Sequence, residues 1–292
     1  MGRNPSRLIY GYLSSLVIRV LSLPLQQPSV HRAFYGLLAG YFDADTPWHF
    51  MNYGFESDRF RECPLDLRSE DATSRLGIQL YDHLLSSLSV AGLAVLEVGC
   101  GRGGGAKYVA NYLTPHRMVG IDFCHRSVRI CRANHDRHVA FLTADAQNLP
   151  FCAASFDVVI NVESSHAYPS MAAFLEEVHR VLRPGGFLVF ADLRWKPRGN
   201  ATRATGLTLL KRQLLESGLT VVLESDISGG VLRARTTDEK RQRASIRQYA
   251  PKAVQGAFAE LAGLPGTTLY RCLEEGRLVY WSSVLRKPVN PI

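Results

Sequence analysis

The run VLEVGCGRGGG, residues 95 to 105, restricts the fold of this chain more than any other stretch. Val95, Leu96, Glu97 and Val98 read as the end of a buried strand. Gly99, Gly101 and Gly103 follow at every second position, and Ala106 to Leu113 reads as a helix. A strand, a glycine turn and a helix in that order bring the backbone of a doubly wound sheet against a nucleotide-like ligand. Glycine permits this because it lacks Cβ and tolerates positive φ. The phosphate-binding version, G-x-G-x-x-G, sets a pyrophosphate on the free N–H groups of the helix N-terminus. Here the pattern is E-x-G-x-G-x-G. Glu97 would repel a pyrophosphate and suits a cationic, phosphate-free ligand.

S-adenosylmethionine meets that description, with an ammonium, a sulfonium and an adenosine. Two further acidic positions fit it. Asp122 ends Met118-Val119-Gly120-Ile121, nineteen residues beyond Gly103. An acid about 20 residues past the glycine loop, at the tip of the second strand, can accept from both ribose hydroxyls. Asp145 follows a third strand pattern from Val139 and can take the adenine amino group. Phe123 and Ala146, beside these acids, and Cys100, inside the glycine turn, complete the expected cofactor contacts. Ser155 to Asn161 reads as a fourth strand, with Asn161 at the end where open α/β sheets hold ligands. Met171 to Leu182 reads as a helix, stopped by Arg183-Pro184-Gly185-Gly186, and Phe187 to Asp192 as a fifth strand. Each acid alone reads equally as a surface turn or a helix cap. The spaced set favours the cofactor.

The chain has 292 residues, of which 46% are apolar and 21% charged, so it can bury a sizeable core and is not expected to be disordered. Its net charge of +8 favours acidic substrates, membrane surfaces or nucleic acid. No zinc-finger spacing or RNA-binding signature accompanies the charge, which is spread along the chain. Nucleic acid is therefore not expected, nor is a metal. The six cysteines include no C-x-x-C pair and read as thiols in a reducing cytoplasm. Leu8 to Leu25 is apolar but interrupted by Gly11, Ser14, Ser15, Arg19, Ser22 and Pro24, which makes a poor membrane span. With Arg3, Arg7 and Arg19 it reads as a helix over the substrate mouth, a contact with a second subunit, or a membrane-surface helix.

The motifs VLEVGCGRGGG, GID, TADAQNLPF, FDVVINVESSH and VLRPGGFLVFADL stand in the order of the class I S-adenosylmethionine-dependent methyltransferases. Over roughly residues 93 to 195 the chain resembles that family. NVESSHAYP, the GGGA that extends the glycine loop, and the flanks MNYGFESD and GTTLYRCLEEGRLVY carry a closer likeness. Through them most of residues 48 to 285 is similar to the phthiotriolone/phenolphthiotriolone dimycocerosate methyltransferase-like natural-product enzymes. The resemblance implies an α/β fold with a doubly wound, seven-stranded, mostly parallel sheet that ends in an antiparallel hairpin. It implies S-adenosylmethionine as cofactor and a hydrophobic or lipid-like acceptor of secondary metabolism. It points to O-methylation first, C-methylation of a prenyl chain or prenyl diphosphate second, and N-methylation third. A cofactor-binding partner protein without turnover is the non-enzymatic alternative, against which the intact acidic and glycine positions argue. An amino methyltransferase of nucleic acid would carry an N-P-P-Y tetrapeptide after the fourth strand, where this chain has Asn161-Val162-Glu163-Ser164.

The expected organisation is an N-terminal helical cap and substrate-mouth segment, residues 1–68, and a methyltransferase domain, residues 69–292, with a substrate-binding insertion around 195–265. Helices are expected over residues 6–23, 30–42, 69–87, 200–217 and, with a break at Pro251, 236–261. Strands are expected over residues 221–226 and 277–285.

His166, just past the fourth strand in Glu163-Ser164-Ser165-His166, is the candidate general base. Transfer from a sulfonium is an in-line displacement with a good leaving group, so alignment of the reactants dominates. A hydroxyl nucleophile also gains from a base that titrates near neutrality. In C-methylation the same histidine would quench a carbocation, and it reads equally as a residue that orients its loop. Glu163 is either the carboxylate that orients His166 or an acceptor for backbone N–H groups. Trp48, Phe55 and Tyr168 are candidates to line an apolar acceptor pocket, with ordinary core packing as the alternative. The Tyr53 phenol is a candidate for the cofactor carboxylate. The basic run Arg233, Arg235, Lys240, Arg241, Arg243, Arg247 and Lys252 reads as a solvated helix face or as an arginine clamp for an acidic acceptor.

Overall fold

The computed structural model describes residues 49–134, 138–196 and 206–289. The two expected N-terminal helices, Trp48, and the N-terminus as cap, subunit contact or membrane helix lie outside the described residues. A short helix α1 (Asp58–Glu62) and a 3-10 turn (Ser69–Ser74) lead to α2 (Arg75–Leu85) and β1 (Ala94–Val98). Then follow α3 (Gly104–Tyr112), β2 (Arg117–Asp122), α4 (His125–Asn134), β3 (Val139–Thr143) and β4 (Phe156–Val162). Next come α5 (Met171–Val181), β5 (Leu182–Trp195), α6 (Gly206–Glu216) and β6 (Thr220–Asp226). The long α7 (Ser228–Tyr249), with α8 (Gln255–Leu261) and α9 (Thr268–Glu274), precedes β7 (Leu278–Arg286).

The strands form one sheet in the order β3-β2-β1-β4-β5-β7-β6. β7 runs antiparallel to β5 and β6, and the other pairs are parallel. This is the expected seven-stranded, mostly parallel, doubly wound sheet. Its central strands are apolar throughout because both faces are covered, as parallel sheets require. Successive residues point to opposite faces. Val95, Met118, Val158 and Val189 pack with residues of α2 to α4 on one side, while Leu96, Val119, Val159 and Leu188 pack with α5 and α6 on the other. Each such side chain contributes about 1.5–3 kcal/mol when fully buried. β1 and β4 are neighbours, and the chain order reverses between them. Their carboxyl ends therefore open the crevice in which such sheets hold ligands.

Three elements differ from the pattern expected from sequence. The helix expected from residue 69 opens instead with a 3-10 turn before α2. That turn brings Asp71 inward to accept from Lys107 Nζ at 3.0 Å and Tyr112 OH at 2.8 Å. Arg183 to Gly186 is a bulge within β5: Leu182 already pairs with Phe156, and pairing resumes at Phe187. Helix α7 starts eight residues before the expected Thr236, through Gly229 and Gly230, which sequence rules read as breakers. Packing overrides propensity there, because the Phe55 ring lies 2.1 Å from where a Gly230 Cβ would stand. The break near Pro251 is present.

Gly105 on α3 is packed in the same way. A Cβ there would lie 2.1 Å from Cζ of Tyr81. Gly105→Ala is expected to cost about 1–3 kcal/mol of stability in denaturant unfolding, since overpacking a rigid contact outweighs alanine's better helix propensity. A higher midpoint, which propensity alone predicts, would contradict this packing.

Candidate active site

Gly99, Gly101 and Gly103 take φ of 75°, 54° and 81°, values that residues with a Cβ rarely adopt. The N–H groups of Gly99 and Cys100 donate to the Ile121 carbonyl at 2.8 and 2.9 Å, fastening the loop to the end of β2. Asp122 completes the fastening. Its Oδ2 accepts from Gly101 N–H at 2.9 Å and its Oδ1 from Cys124 N–H at 2.8 Å. Each carboxylate oxygen keeps a second lone pair for a ligand hydroxyl. Burial pushes the Asp122 carboxyl up to about 6, against the effect of these two N–H groups. The Cys100 thiol turns inward, where its bond with Cys131 and burial push it up, so its backbone is what lies along the loop. Phe123 is half-buried and Ala146 buried. Asp145 is exposed and shapes a turn, with Oδ1 accepting from Gln147 N–H at 2.9 Å.

Beneath the loop two buried side chains each keep one oxygen without a partner. Glu97, 1% exposed, accepts from Tyr81 OH at 2.5 Å through Oε1, while Oε2 has no hydrogen-bond partner. Burial pushes its carboxyl up to about 8, against the lowering effect of Tyr81 OH and the Ala106 N–H. Asn161 Nδ2 donates to the Val98 carbonyl at 2.9 Å and to Tyr168 OH at 2.8 Å. A carbonyl only accepts, so Val98 fixes the amide orientation and leaves the buried Oδ1 unpartnered. Tyr168 OH is also hydrogen-bonded to Ser164 Oγ at 2.7 Å, and its ring stands edge-on to Phe174. Glycine at 99 leaves room for Ser164, whose Oγ lies 1.9 Å from the position of a Cβ there. A glycine cradle above two unpartnered oxygens, one on a carboxyl that a nearby cation would ionise, fits a ligand rich in N–H and cationic groups and without phosphate. S-adenosylmethionine is such a ligand.

The loop after β4 carries the other expected residues, in a pairing that differs from one of the two readings of Glu163. His166 Nδ1 lies 2.8 Å from Oδ1 of Asp192, and its backbone N–H donates to Oδ2 at 2.8 Å. Asp192, not Glu163, therefore orients the imidazole. Burial works against a charged His166, but Asp192 outweighs it and raises the pKa above its ordinary 6.5. Burial alone would raise Asp192 too, yet His166 and Arg194 hold its carboxyl well below the usual range. Glu163 Oε1 accepts from Tyr53 N–H and from Tyr280 OH, both at 2.7 Å, so the backbone-acceptor reading of Glu163 holds. Burial pushes Glu163 up to about 7, against those two hydrogen bonds. The Tyr53 phenol donates to the Leu261 carbonyl at 2.7 Å, so the expected reach to a cofactor carboxylate gives way to a tie to α8. Phe55 is buried and stacked on His83, its ring centroid 4.0 Å away, as a core residue.

Sequence reading passed over Asp192, Tyr81 and Tyr280. Asp192 carried one usable signal, its place at the end of the fifth strand. Of the basic run, Arg241 and Arg243 are ion-paired with Asp238 and Glu239 on their own helix, which favours the helix-face reading for them over the clamp.

The raised carboxyls give a test. The folded protein holds protons on Glu97, Asp122 and Glu163 that the unfolded chain releases at lower pH. Their contribution is complete below the ordinary carboxyl range and is lost as pH rises through about 6 to about 8. The raised pKa of His166 acts in the same direction above 6.5. Unfolding midpoints of the ligand-free protein are expected to fall between about pH 5 and about pH 8, and Glu97→Gln should flatten the fall. A slope equal to wild type would contradict the burial assigned to Glu97.

Comparison with known proteins agrees with this geometry. A family model described as a methyltransferase domain matches residues 96–190. The phthiotriol/phenolphthiotriol dimycocerosates methyltransferase of Mycobacterium leprae is 36% identical over 79% of this chain and 82% of its own. A fatty-acid O-methyltransferase of Mycolicibacterium smegmatis is 35% identical over 82% of this chain and 84% of its own. Among solved structures, geranyl diphosphate C-methyltransferase from Streptomyces coelicolor shares the fold, with a TM-score of 0.60 and 18% identity over 87% of this chain and 97% of that one. The glycine cradle, the acids behind it and a likeness that spans most of both chains lead to one assignment: this chain belongs to the class I S-adenosylmethionine-dependent methyltransferases, in the family of the phthiotriol/phenolphthiotriol dimycocerosates methyltransferases.

Proposed function

We propose that this methyltransferase O-methylates a hydrophobic, lipid-like small molecule, with His166 as general base and Asp192 as the group that orients it. The observation that carries the reading is the His166 Nδ1–Asp192 Oδ1 contact at 2.8 Å. The tautomer with Nδ1–H toward Asp192 places the ring lone pair on Nε2, where it can take the proton of an acceptor hydroxyl. The charge that then forms on the imidazole faces the Asp192 carboxylate. The acceptor class follows the relatives, one named for phthiotriol dimycocerosates and one for fatty-acid O-methylation.

When bound, S-adenosylmethionine supplies a methyl group on a positively charged sulfur, which an acceptor oxygen displaces. In this reading Gly99, Cys100, Gly101 and Gly103 hold it through their backbone, flanked by Phe123 and Ala146. Glu97 and Asn161 face its cationic end, Asp122 accepts from the ribose, and Asp145 from the adenine amino group. Tyr53 acts through its N–H, which holds Glu163 in place. Tyr168 positions Asn161 and Ser164 beneath the loop. In this reading the methyltransferase domain occupies residues 69–292. The enzyme works in natural-product metabolism in the cytoplasm, a setting in keeping with six free thiols. No helix among the described residues is long and apolar enough to cross a membrane. The ion-paired state of Arg241 and Arg243 weakens the support that an arginine clamp gave to a prenyl diphosphate acceptor.

Calorimetry, turnover and pH profiles test the reading. Asp122→Ala is expected to weaken S-adenosylmethionine binding about tenfold or more in calorimetry, the scale on which a charged hydrogen-bonding group contributes; unchanged affinity would refute the cofactor assignment. His166→Ala is expected to leave that affinity alone and lower kcat for a hydroxylated lipid by about 10²–10⁴-fold. Wild-type activity should rise with pH through the raised pKa of His166. Asp192→Asn removes the charge that raises it, so the acidic limb should move to lower pH while kcat falls. Full turnover by His166→Ala across the pH range would remove His166 from the mechanism.

A further inference from the structure

Arg235, on α7, is buried and poorly paired. Its side chain is 4% exposed. Nη1 reaches the Ala262 carbonyl only at 3.4 Å, Nη2 stands 4.0 Å from Asp238 Oδ2, and Nε has no hydrogen-bond partner. The guanidinium lies 5.7 Å from the centre of the Tyr53 ring. Asp238 is engaged elsewhere. It takes Arg241 Nε at 2.6 Å and Nη2 at 2.5 Å, and Gln242 Nε2 at 3.0 Å. A buried ion costs several kcal/mol unless strong partners offset it, and the partners of Arg235 are weak. Burial accordingly pulls its pKa down, against Asp238 and Glu163.

Arg235 borders a cavity of about 30 Å³ shared with Phe50, Asn52, Ser74, Arg241 and Gln242. That is about the volume of one water molecule, enough for one oxygen of a carboxylate that enters from outside. Arg235 and Arg241 bring two positive charges to its wall and Asp238 one negative charge, which leaves one unit of positive charge. A single carboxylate balances it, whereas the charge of a diphosphate would exceed it. A guanidinium fork matches a carboxylate in geometry and binds it through two parallel N–H bonds. Phe50 and Asn52, also in its lining, belong to the strap that bonds to the glycine loop, where the His49 carbonyl accepts from Gly104 N–H at 3.2 Å. An occupant therefore joins α7 to the covering of the cofactor loop.

We propose that this cavity is a carboxylate subsite, with Arg235 as the group that binds it. Two sources share that chemistry: the carboxylate of an acyl-chain ligand, which deepens and rests on the lipid-like acceptor reading, or a free small carboxylate. Binding of dodecanoate, acetate and dodecan-1-ol to the full chain, with and without S-adenosylhomocysteine, separates them by calorimetry. Carboxylate binding is expected to weaken at least tenfold in Arg235→Met and several-fold in Arg235→Lys, which keeps the charge and loses the fork. Dodecan-1-ol binding should not change. Tight dodecanoate with weak acetate assigns the acyl source, and equal affinities assign the free ion. The subsite is overturned if neither carboxylate binds wild type, or if Arg235→Met binds them as wild type does. It is also overturned if that variant loses S-adenosylmethionine affinity alone, which would give Arg235 to the cofactor's own carboxylate. Should Arg235→Met not fold, the Arg235 Nε–H resonance of the wild-type protein must shift on adding either carboxylate, and a resonance that stays in place overturns the proposal. Failure of the His166 experiments would leave these binding results standing, and the reverse also holds.

Discussion

A carboxylate with no solvent exposure, Asp192, organises the site. Taking a charge out of water costs several kcal/mol unless donors replace the solvent. The chain supplies Ser165 Oγ, the backbone N–H and Nδ1 of His166, the Leu193 N–H and the Arg194 guanidinium. Two of these residues belong to the loop after β4, so the loop takes its course from the ion it surrounds. Glu163 enters that course at φ 48°, a left-handed value that costs a residue with a side chain about 1–3 kcal/mol. Bonds from Glu163 N–H to the Ala191 carbonyl, and from Tyr53 and Tyr280 to its side chain, hold it there.

The elements whose signals are local were legible in the sequence. The β1 apolar run, the glycines after it and the acid at the tip of β2 act over a few residues each, and the sheet follows from their order. Asp192 was legible only as a strand end. Its partners Ser165 and His166 lie 27 and 26 residues upstream, and nothing in FLVFADL marks it as an ion before the chain is folded. Tyr81 is a similar case. It sits in an apolar helix pattern, and its phenol acquires meaning only when α2 packs over Glu97. The α7 start was misread because local rules treat two glycines as a stop, and the Phe55 ring that makes them necessary comes from a segment some 170 residues earlier. For Glu163 the sequence left two roles open, and the backbone of Tyr53 decided between them.

The sheet is shared with an enzyme that methylates carbon. The strands and the glycine loop thus specify the donor side of the reaction, and fold alone does not specify the acceptor. What differs among such proteins is what lies over the carboxyl ends of the strands. Here that is the loop after β4, the strap at residues 49–55 and α7. The strap bonds to the glycine loop through His49, to Glu163 through Tyr53, and to α7 through Glu56 N–H, which donates to the Gly230 carbonyl at 3.1 Å. Donor and acceptor sides are joined by one stretch of backbone.

Several glycines in this fold belong to an aromatic ring elsewhere in the chain. Gly105 faces Tyr81, Gly77 faces Phe50, and Gly230 faces Phe55. At each the ring occupies the volume a side chain would need, so the two positions cannot change independently. A larger residue at 105 is compatible with the fold only if residue 81 becomes smaller, and that loses the phenol on Glu97. Such pairs should appear across related sequences as linked substitutions, with the 81–105 pair the more constrained because it carries a hydrogen bond as well as a volume.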